Sequence, residues 1–315
     1  MKQSSNNQKK RTVPLIKQEG FQLFLCNLPF LILIFLLSYL PLRGWAIAFF
    51  NYKPGVPLAN SEFVGFKYFL RMFQDKYAIM DIVRVLSNTF AMNFLGWITA
   101  PIPMIFAVFL SDMNGKWFKK AVQTITTLPH FISWVLVYAV AYSMFSVGDG
   151  LVNRLLMDFG LVEAPINFMI DPSAAWIKMA AWGLWKGFGW SAILYFAAIS
   201  GIDQELYEAA RVDGAGRFRL MWHITIPHLI PTFFVLLILS IASFLDTGME
   251  QYLLFANPMK LSKLEVLDLY VYNLGIAGTS YSYATAVGIL KSLVGIVLLV
   301  SANGLSKRIR GVSIM

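Results

Sequence analysis

The sequence predicts an all-α integral membrane fold of six transmembrane helices with both termini in the cytoplasm. Three observations predict it. The chain is 57% hydrophobic and only 14% charged, with a mean hydropathy of +0.62. A soluble domain is about half apolar, with about a quarter of its residues charged. Six apolar stretches reach the ~20 residues needed to cross a bilayer core about 30 Å thick. Lysine and arginine gather in alternate connecting segments, which orients the spans.

Residues 1–20 form a polar arm carrying Lys2, Lys9, Lys10, Arg11 and Lys17. The apolar run that follows, Leu23–Leu40, is longer than a signal-peptide core, and no small-x-small cleavage pattern comes after it. It therefore reads as a retained first span. The six-span domain covers 21–305. Its spans are predicted near 23–48, 86–110, 121–145, 174–199, 231–255 and 283–304. Pro29 and Pro41 punctuate the first, and Pro101 and Pro103 the second; each removes a helix hydrogen bond, so kinks are expected. Residues 306–315 are a basic tail with Lys307, Arg308 and Arg310.

With six spans, the arm, the tail, the loop bearing Lys116, Lys119 and Lys120, and the segment 201–230 bearing Arg211, Arg217 and Arg219 share one side. The positive-inside rule makes that side cytoplasmic. Opposite lie 146–173, rich in Asp149, Asp158, Glu163 and Asp171, and 256–282. The long segment 51–85 is an exception, with Lys53, Lys67, Arg71, Lys76 and Arg84 outside. Two outer segments have helical patterning: 61–84, and 149–160 with Leu151, Leu155, Leu156 and Phe159 on one face. The net charge of +9 reads as basic cytoplasmic ends rather than a nucleic-acid footprint. Cys26 is the only cysteine, so no disulfide forms within the chain, and three dispersed histidines suggest no metal site.

No GxxxxGK[ST], HExxH, CxxC or GxSxG occurs, so ATP binding by a phosphate loop and the common hydrolase or redox chemistries find no support. What remains is a polar segment between two apolar ones, "YEAARVDGAGRFRLMWHITIPHLIP". Asp203 is a plausible N-cap, with Glu205 and Glu208 early in the helix where carboxylates suit the dipole. Gly214 and Gly216 end or bend this helix. A second helical stretch, Phe218–Ile226, leads to Pro227, and a new span begins near Pro231. Ala209, Ala210, Gly214 and Ala215 leave room for another body to approach closely. A solvated loop with an interfacial helix fits the same pattern.

Glu208-Ala209-Ala210, three residues, Gly214, nine residues, then Ile224-x-Ile226-Pro227 resembles the EAA loop of the membrane subunits of bacterial ABC importers. The family form is EAA-x3-G-x9-I-x-L-P, and the chain departs only by Ile226 for leucine. "YLPLRGWAIAFFNYKPG", "TLPHFISWVLVYAV" and "WKGFGWSAILYFAAISGIDQELYEAARVDGA" are similar to the sugar branch, particularly permeases for complex oligosaccharides. The resemblance implies the architecture of a type I ABC importer permease in a bacterial cytoplasmic (inner) membrane. It implies that the loop docks on an ATPase through Glu208, Ala209, Ala210, Arg211, Asp213, Gly214 and Pro227. It further implies a second homologous permease, two ATPase subunits and an extracellular solute-binding protein as partners. ATP and Mg then belong to the ATPase subunits, with no cofactor on this chain, which is a transport subunit and not an enzyme.

Ionisable residues inside the membrane point to function. Lys186 falls near mid-depth of the fourth span, flanked by Trp182, Trp185 and Trp190; Lys291 falls in the outer half of the sixth. Aromatic faces suit sugar rings, and the two lysines suit an acidic oligosaccharide. Tyr195, Tyr138 and Tyr142, with Ser133 and Asn88, are further lining candidates. An internal bond to helix carbonyls is the competing role for Lys186, and snorkelling for Lys291. Asp246 and Glu250 are candidates for contact with the external binding protein or for pairing within the chain. A secondary active transporter for a small polar solute is the alternative function, although no internal repeat is evident.

Overall fold

The described residues form helices and no strand, with one isolated antiparallel bridge between Phe50 and Phe63. The computed structural model describes residues 19–259 and 261–310. The five basic residues of the arm, and the side chains of Arg308 and Arg310 in the tail, lie outside that description.

Helix α1 (Glu19–Ile34) continues through a π-turn at Phe35–Tyr39 and a 3-10 stretch at Leu40–Phe49. Together they make an apolar helix over Gln22–Phe49, matching the first expected span. After α2 (Lys67–Gln74), α3 (Lys76–Thr99) and α4 (Pro101–Asp112) join end to end into a 37-residue apolar helix, Lys76–Asp112. The expected second span, 86–110, lies within this helix, which begins further back at Lys76, and the helix expected over 61–84 is divided between α2 and α3. The divider is Asp75, whose carboxylate accepts the N–H groups of Tyr77 (2.9 Å) and Ala78 (3.4 Å) and so starts a new helix.

The expected third span is not straight. Helices α5 (Lys116–Phe131) and α6 (Trp134–Phe145) meet at 104°. Pro129 lacks a donor in the last turn of α5, Ile132 is extended (φ −82°, ψ 145°), and Ser133 starts α6 by accepting the Leu136 N–H at 3.4 Å. Helix α7 (Leu151–Asp158) lies in the predicted 149–160 region. Its buried residue is Asn153, while Leu151, Leu155 and Phe159 are exposed. Asn153 donates to the carbonyls of Ser146 (2.9 Å) and Ile166 (3.0 Å) and accepts the Ile166 N–H (2.9 Å). A buried amide that ties its own loop together outweighs the apolar face there.

Helix α8 (Ala175–Ser200) reproduces the fourth expected stretch and, at about 1.5 Å per residue, is ~39 Å long. The fifth is displaced. After α9 (Gln204–Val212), α10 (Arg217–Leu220), a π-turn at Met221–Thr225 and α11 (Ile226–Ala242) run together as one apolar helix, Arg217–Ala242. Pro227 does not separate a loop helix from a span, because the wider π-turn immediately before it carries the helix past its missing N–H. The stretch 243–255 leaves this helix at a turn bearing Asp246 and Gly248 (φ +72°), and α12 (Glu250–Phe255) is separate. Short helices α13 (Leu261–Leu264) and α14 (Leu267–Tyr272) precede α15 (Tyr281–Arg310), whose apolar part is Tyr281–Gly304.

Four helices among the described residues are therefore long and apolar enough to cross a membrane, and the bent α5–α6 pair makes a fifth candidate. Helix α8 has the length, with tryptophans, glycines and two lysines making it less apolar. It is the hub, packing on α3, α4, α5 and α11. Against α5 the approach is close: a Cβ at Gly189 would sit 2.2 Å from the Thr126 carbonyl oxygen.

Candidate coupling loop and pathway residues

The two ends of the bundle differ in chemistry. At one end, Arg217 binds Asp112, the last residue of α4, with Nε 2.7 Å from Oδ2. Tyr207 of α9 shares a hydrogen bond with Thr225 at 3.0 Å. The Arg217–Asp112 link places the 201–220 segment beside the start of α5, which carries Lys116, Lys119 and Lys120. At the other end, Arg84 pairs with Asp81 and with Glu265, both at 2.9 Å, and Glu265 also accepts from Asn273.

The polar segment is a short capped helix held off the bundle. Asp203 accepts the Glu205 N–H at 3.0 Å, as an N-cap should. At the other terminus the Ala215 N–H reaches the Ala210 carbonyl (2.9 Å) and the Gly214 N–H reaches the Arg211 carbonyl (3.0 Å). That is a Schellman closure, with Gly214 in the left-handed region at φ +79°. No residue of α9 is buried. Glu208, Ala209, Arg211, Asp213 and Gly214 are exposed, Ala210 is half-buried, and Val212 is 88% exposed. Leu206, Phe218 and Trp222 extend this uncovered apolar surface. Pro227 lies within the following helix, away from the exposed turn.

The expected pathway residues fall in separate places. Lys186 donates to the carbonyls of Pro129 (3.3 Å), His130 (2.8 Å) and Ile132 (2.7 Å), with the Trp134 ring 5.5 Å from its amine. Trp190 stacks on the His130 ring at 4.5 Å and 3°. Trp185 sits edge-on to Trp182 and borders a cavity of about 450 Å³ with Met144 and Phe168. Tyr138 and Tyr142, 6.4 Å apart, border another of about 390 Å³ with Asn167 and Asn257. Tyr195 is buried beside a space of about 370 Å³ between α3, α8 and α11. Asn88 is spent on the Ser262 and Glu265 carbonyls.

Lys291 does not reach outward. It lies 2.6 Å from Asp246, bonds Asp268, and borders a cavity of about 920 Å³. Asp246 accordingly pairs within the chain. Sequence reasoning missed Asp268, Glu265 and Arg84. Their signal was present as single charges flanked by apolar residues, but their partners come from distant segments. In the acidic loop, the Asp171 carboxyl is held down at about 2, first by the Ser173 hydroxyl and its N–H and then by Lys178.

Residues 92–311 match the family described as binding-protein-dependent transport system inner membrane component. The chain belongs to that family. This permease is 42% identical over 289 residues to Protein LplB of Bacillus subtilis (strain 168), covering 91% of this chain and 88% of the relative. It is 39% identical over 305 residues to the polygalacturonan/rhamnogalacturonan transport system permease protein YteP of the same organism, covering 95% and 91%. A chain in the crystal structure of a bacterial ABC transporter involved in the import of the acidic polysaccharide alginate superposes with a TM-score of 0.81. Its identity is 33%, with 94% of this chain and 98% of that chain covered. A second structure of the bacterial alginate ABC transporter, in complex with an alginate pentasaccharide-bound periplasmic protein, gives 0.83 at 33% identity, covering 95% and 98%. This permease is thus a helical, multi-pass membrane transport subunit, and the expected family is upheld.

Proposed function

We propose that this permease forms half of the translocation pathway of an ATP-driven importer for an oligosaccharide bearing uronate groups. The observation that carries the coupling part is α9: a capped helix with EAA spacing, uncovered on its outer face, bonded to Thr225 through Tyr207, and followed by α10, which the Arg217–Asp112 pair ties to α4. Six crossings follow if α8 and the bent α5–α6 pair each span once, with both termini and α9 in the cytoplasm. Glu208, Arg211 and Asp213 supply charge to the cleft of an ATPase subunit, and Ala209, Ala210 and Gly214 admit close contact. A second homologous permease, two ATPase subunits holding ATP and Mg, and an extracellular solute-binding protein complete the assembly in the bacterial inner membrane. Relatives named for polygalacturonan, rhamnogalacturonan and alginate support the acidic class. Tyr138, Tyr142 and Trp185, bordering cavities, remain suited to sugar rings.

The test is uptake by the assembled complex in proteoliposomes. Labelled galacturonate oligosaccharides should accumulate only with ATP inside the coupled compartment and loaded binding protein outside, and neutral oligosaccharides should compete poorly. Uptake by this chain alone, driven by an ion gradient, would sink the proposal and establish a secondary transporter instead.

A further inference from the structure

Two stretches far apart in sequence meet in the middle of the fold, and the contact involves the backbone of one and a cation of the other. An α-helix leaves its last carbonyls without partners and concentrates negative potential there. Helix α5 ends at a 104° elbow partway along a candidate membrane span, where the freed carbonyls need partners from the protein. Lys186 of α8 meets three of them, at Pro129, His130 and Ile132, and so uses all three of its donors. Among the described residues no carboxylate lies within 4.0 Å of its amine. The neighbouring turn of α8 adds the Trp190 stack on His130 and the close seat of Gly189 on Thr126. One turn and a little more of α8 therefore grips the end of α5 by a charge, a ring and a backbone contact.

We infer that Lys186 is a positioning residue for transport: it holds the α5–α6 elbow to α8, so that a displacement of α9 is passed to α6. This rests on the coupling role proposed for α9. The connection is short, because α8 ends at Ser200 and only Gly201, Ile202 and Asp203 precede α9, with Ile202 buried. On the far side of the elbow, α6 carries Tyr138 and Tyr142 to the outer cavity. A lysine whose donors are all committed to carbonyls is poorly placed to recognise a substrate carboxylate. Its charge instead completes a helix terminus that no side chain of α5 or α6 caps.

The experiment uses the assembled importer in proteoliposomes with Cys26→Ser and spin labels at Ala121→Cys and Ser143→Cys, one on each arm of the elbow. Wild type and Lys186→Arg should give a narrow distance distribution, and Lys186→Met a broad one. In Lys186→Met the maximal import rate should fall about tenfold, the effect of one charge-assisted hydrogen bond, with KM for loaded binding protein unchanged. A narrow distribution in Lys186→Met overturns the inference, as does a broad one with full import rate. A narrow distribution with KM raised for acidic but not neutral oligosaccharides assigns Lys186 to the substrate instead. Should Lys186→Met fail to assemble, Lys186→Gln is read by the same criteria. Wild type that imports no oligosaccharide refutes the proposed function, while the distance distributions still report on the elbow.

Discussion

Substitution of Gly214 separates two reasons for a glycine in the loop proposed for coupling: conformation and space for a partner. Its φ of +79° lies in the left-handed region, yet an added Cβ would meet nothing within 4 Å of the chain itself. Gly214→Ala therefore creates no internal clash. Its cost is conformational, about 1–2 kcal/mol for a Cβ-bearing residue held left-handed. Since no residue of α9 is fully buried and Gly214 is exposed, that cost falls on the loop and not on the bundle. It shifts the closed-to-frayed ratio of the Schellman turn about five- to thirty-fold. Asparagine tolerates this conformation better than alanine although it is larger. ATPase activity stimulated by loaded binding protein, together with uptake in proteoliposomes, should therefore rank glycine, asparagine, alanine. Gly214→Trp, both strained and bulky, should leave insertion intact and abolish coupling. The reasoning is refuted if activity instead follows size, with alanine near wild type and asparagine well below it; space for the ATPase would then be the sole requirement.

Lys291→Met should lower the stability of the purified permease by about 2–3 kcal/mol in chemical unfolding, below the full cost of breaking a buried pair because Asp246 is 73% exposed. Adding Asp268→Asn should recover part of the loss; no recovery would show that the lysine acts by packing alone. Asn153→Ala should raise protease sensitivity across 146–173 without changing assembly, since about 1–3 kcal/mol is lost when the Ile166 N–H goes unpaired. The Asp171 carboxyl is depressed from 3.8 to about 2, so its contribution to loop order is complete above the ordinary value and is lost as pH falls through about 2. Corrected for intrinsic rate, hydrogen exchange of 168–176 should therefore accelerate between pH of about 4 and about 2 in wild type but not in Asp171→Asn. A transition near neutrality would contradict the assignment.

Much of the candidate site was legible because its rules are local. The Asp203 cap, the glycine closing α9 and the spacing from Glu208 to Pro227 all act within one or two helical turns, where residue type nearly dictates backbone. The α7 face misled for the opposite reason. Periodicity sees Leu151, Leu155 and Phe159, but the fold buries Asn153, because a buried amide is kept by partners outside its own helix. The fifth span shifted because hydropathy averages over a window and does not register the turn at Asp246–Gly248, or the π-turn that lets a helix pass Pro227.

The sequence by itself determined that this chain is a helical membrane protein, roughly where most of its apolar helices lie, and where a capped, exposed loop helix with EAA spacing lies. Each follows from hydropathy, length or a short motif. Only the tertiary structure decided what the charges inside the bundle do. Lys186 and the Pro129 carbonyl are 57 residues apart in sequence, and Arg84 and Glu265 are 181 apart. A lone lysine in an apolar run signals that a compensating group must exist, because leaving it unpaired is costly. Whether that group is a substrate carboxylate, a partner aspartate or the bare end of a neighbouring helix depends on which backbone folds beside it.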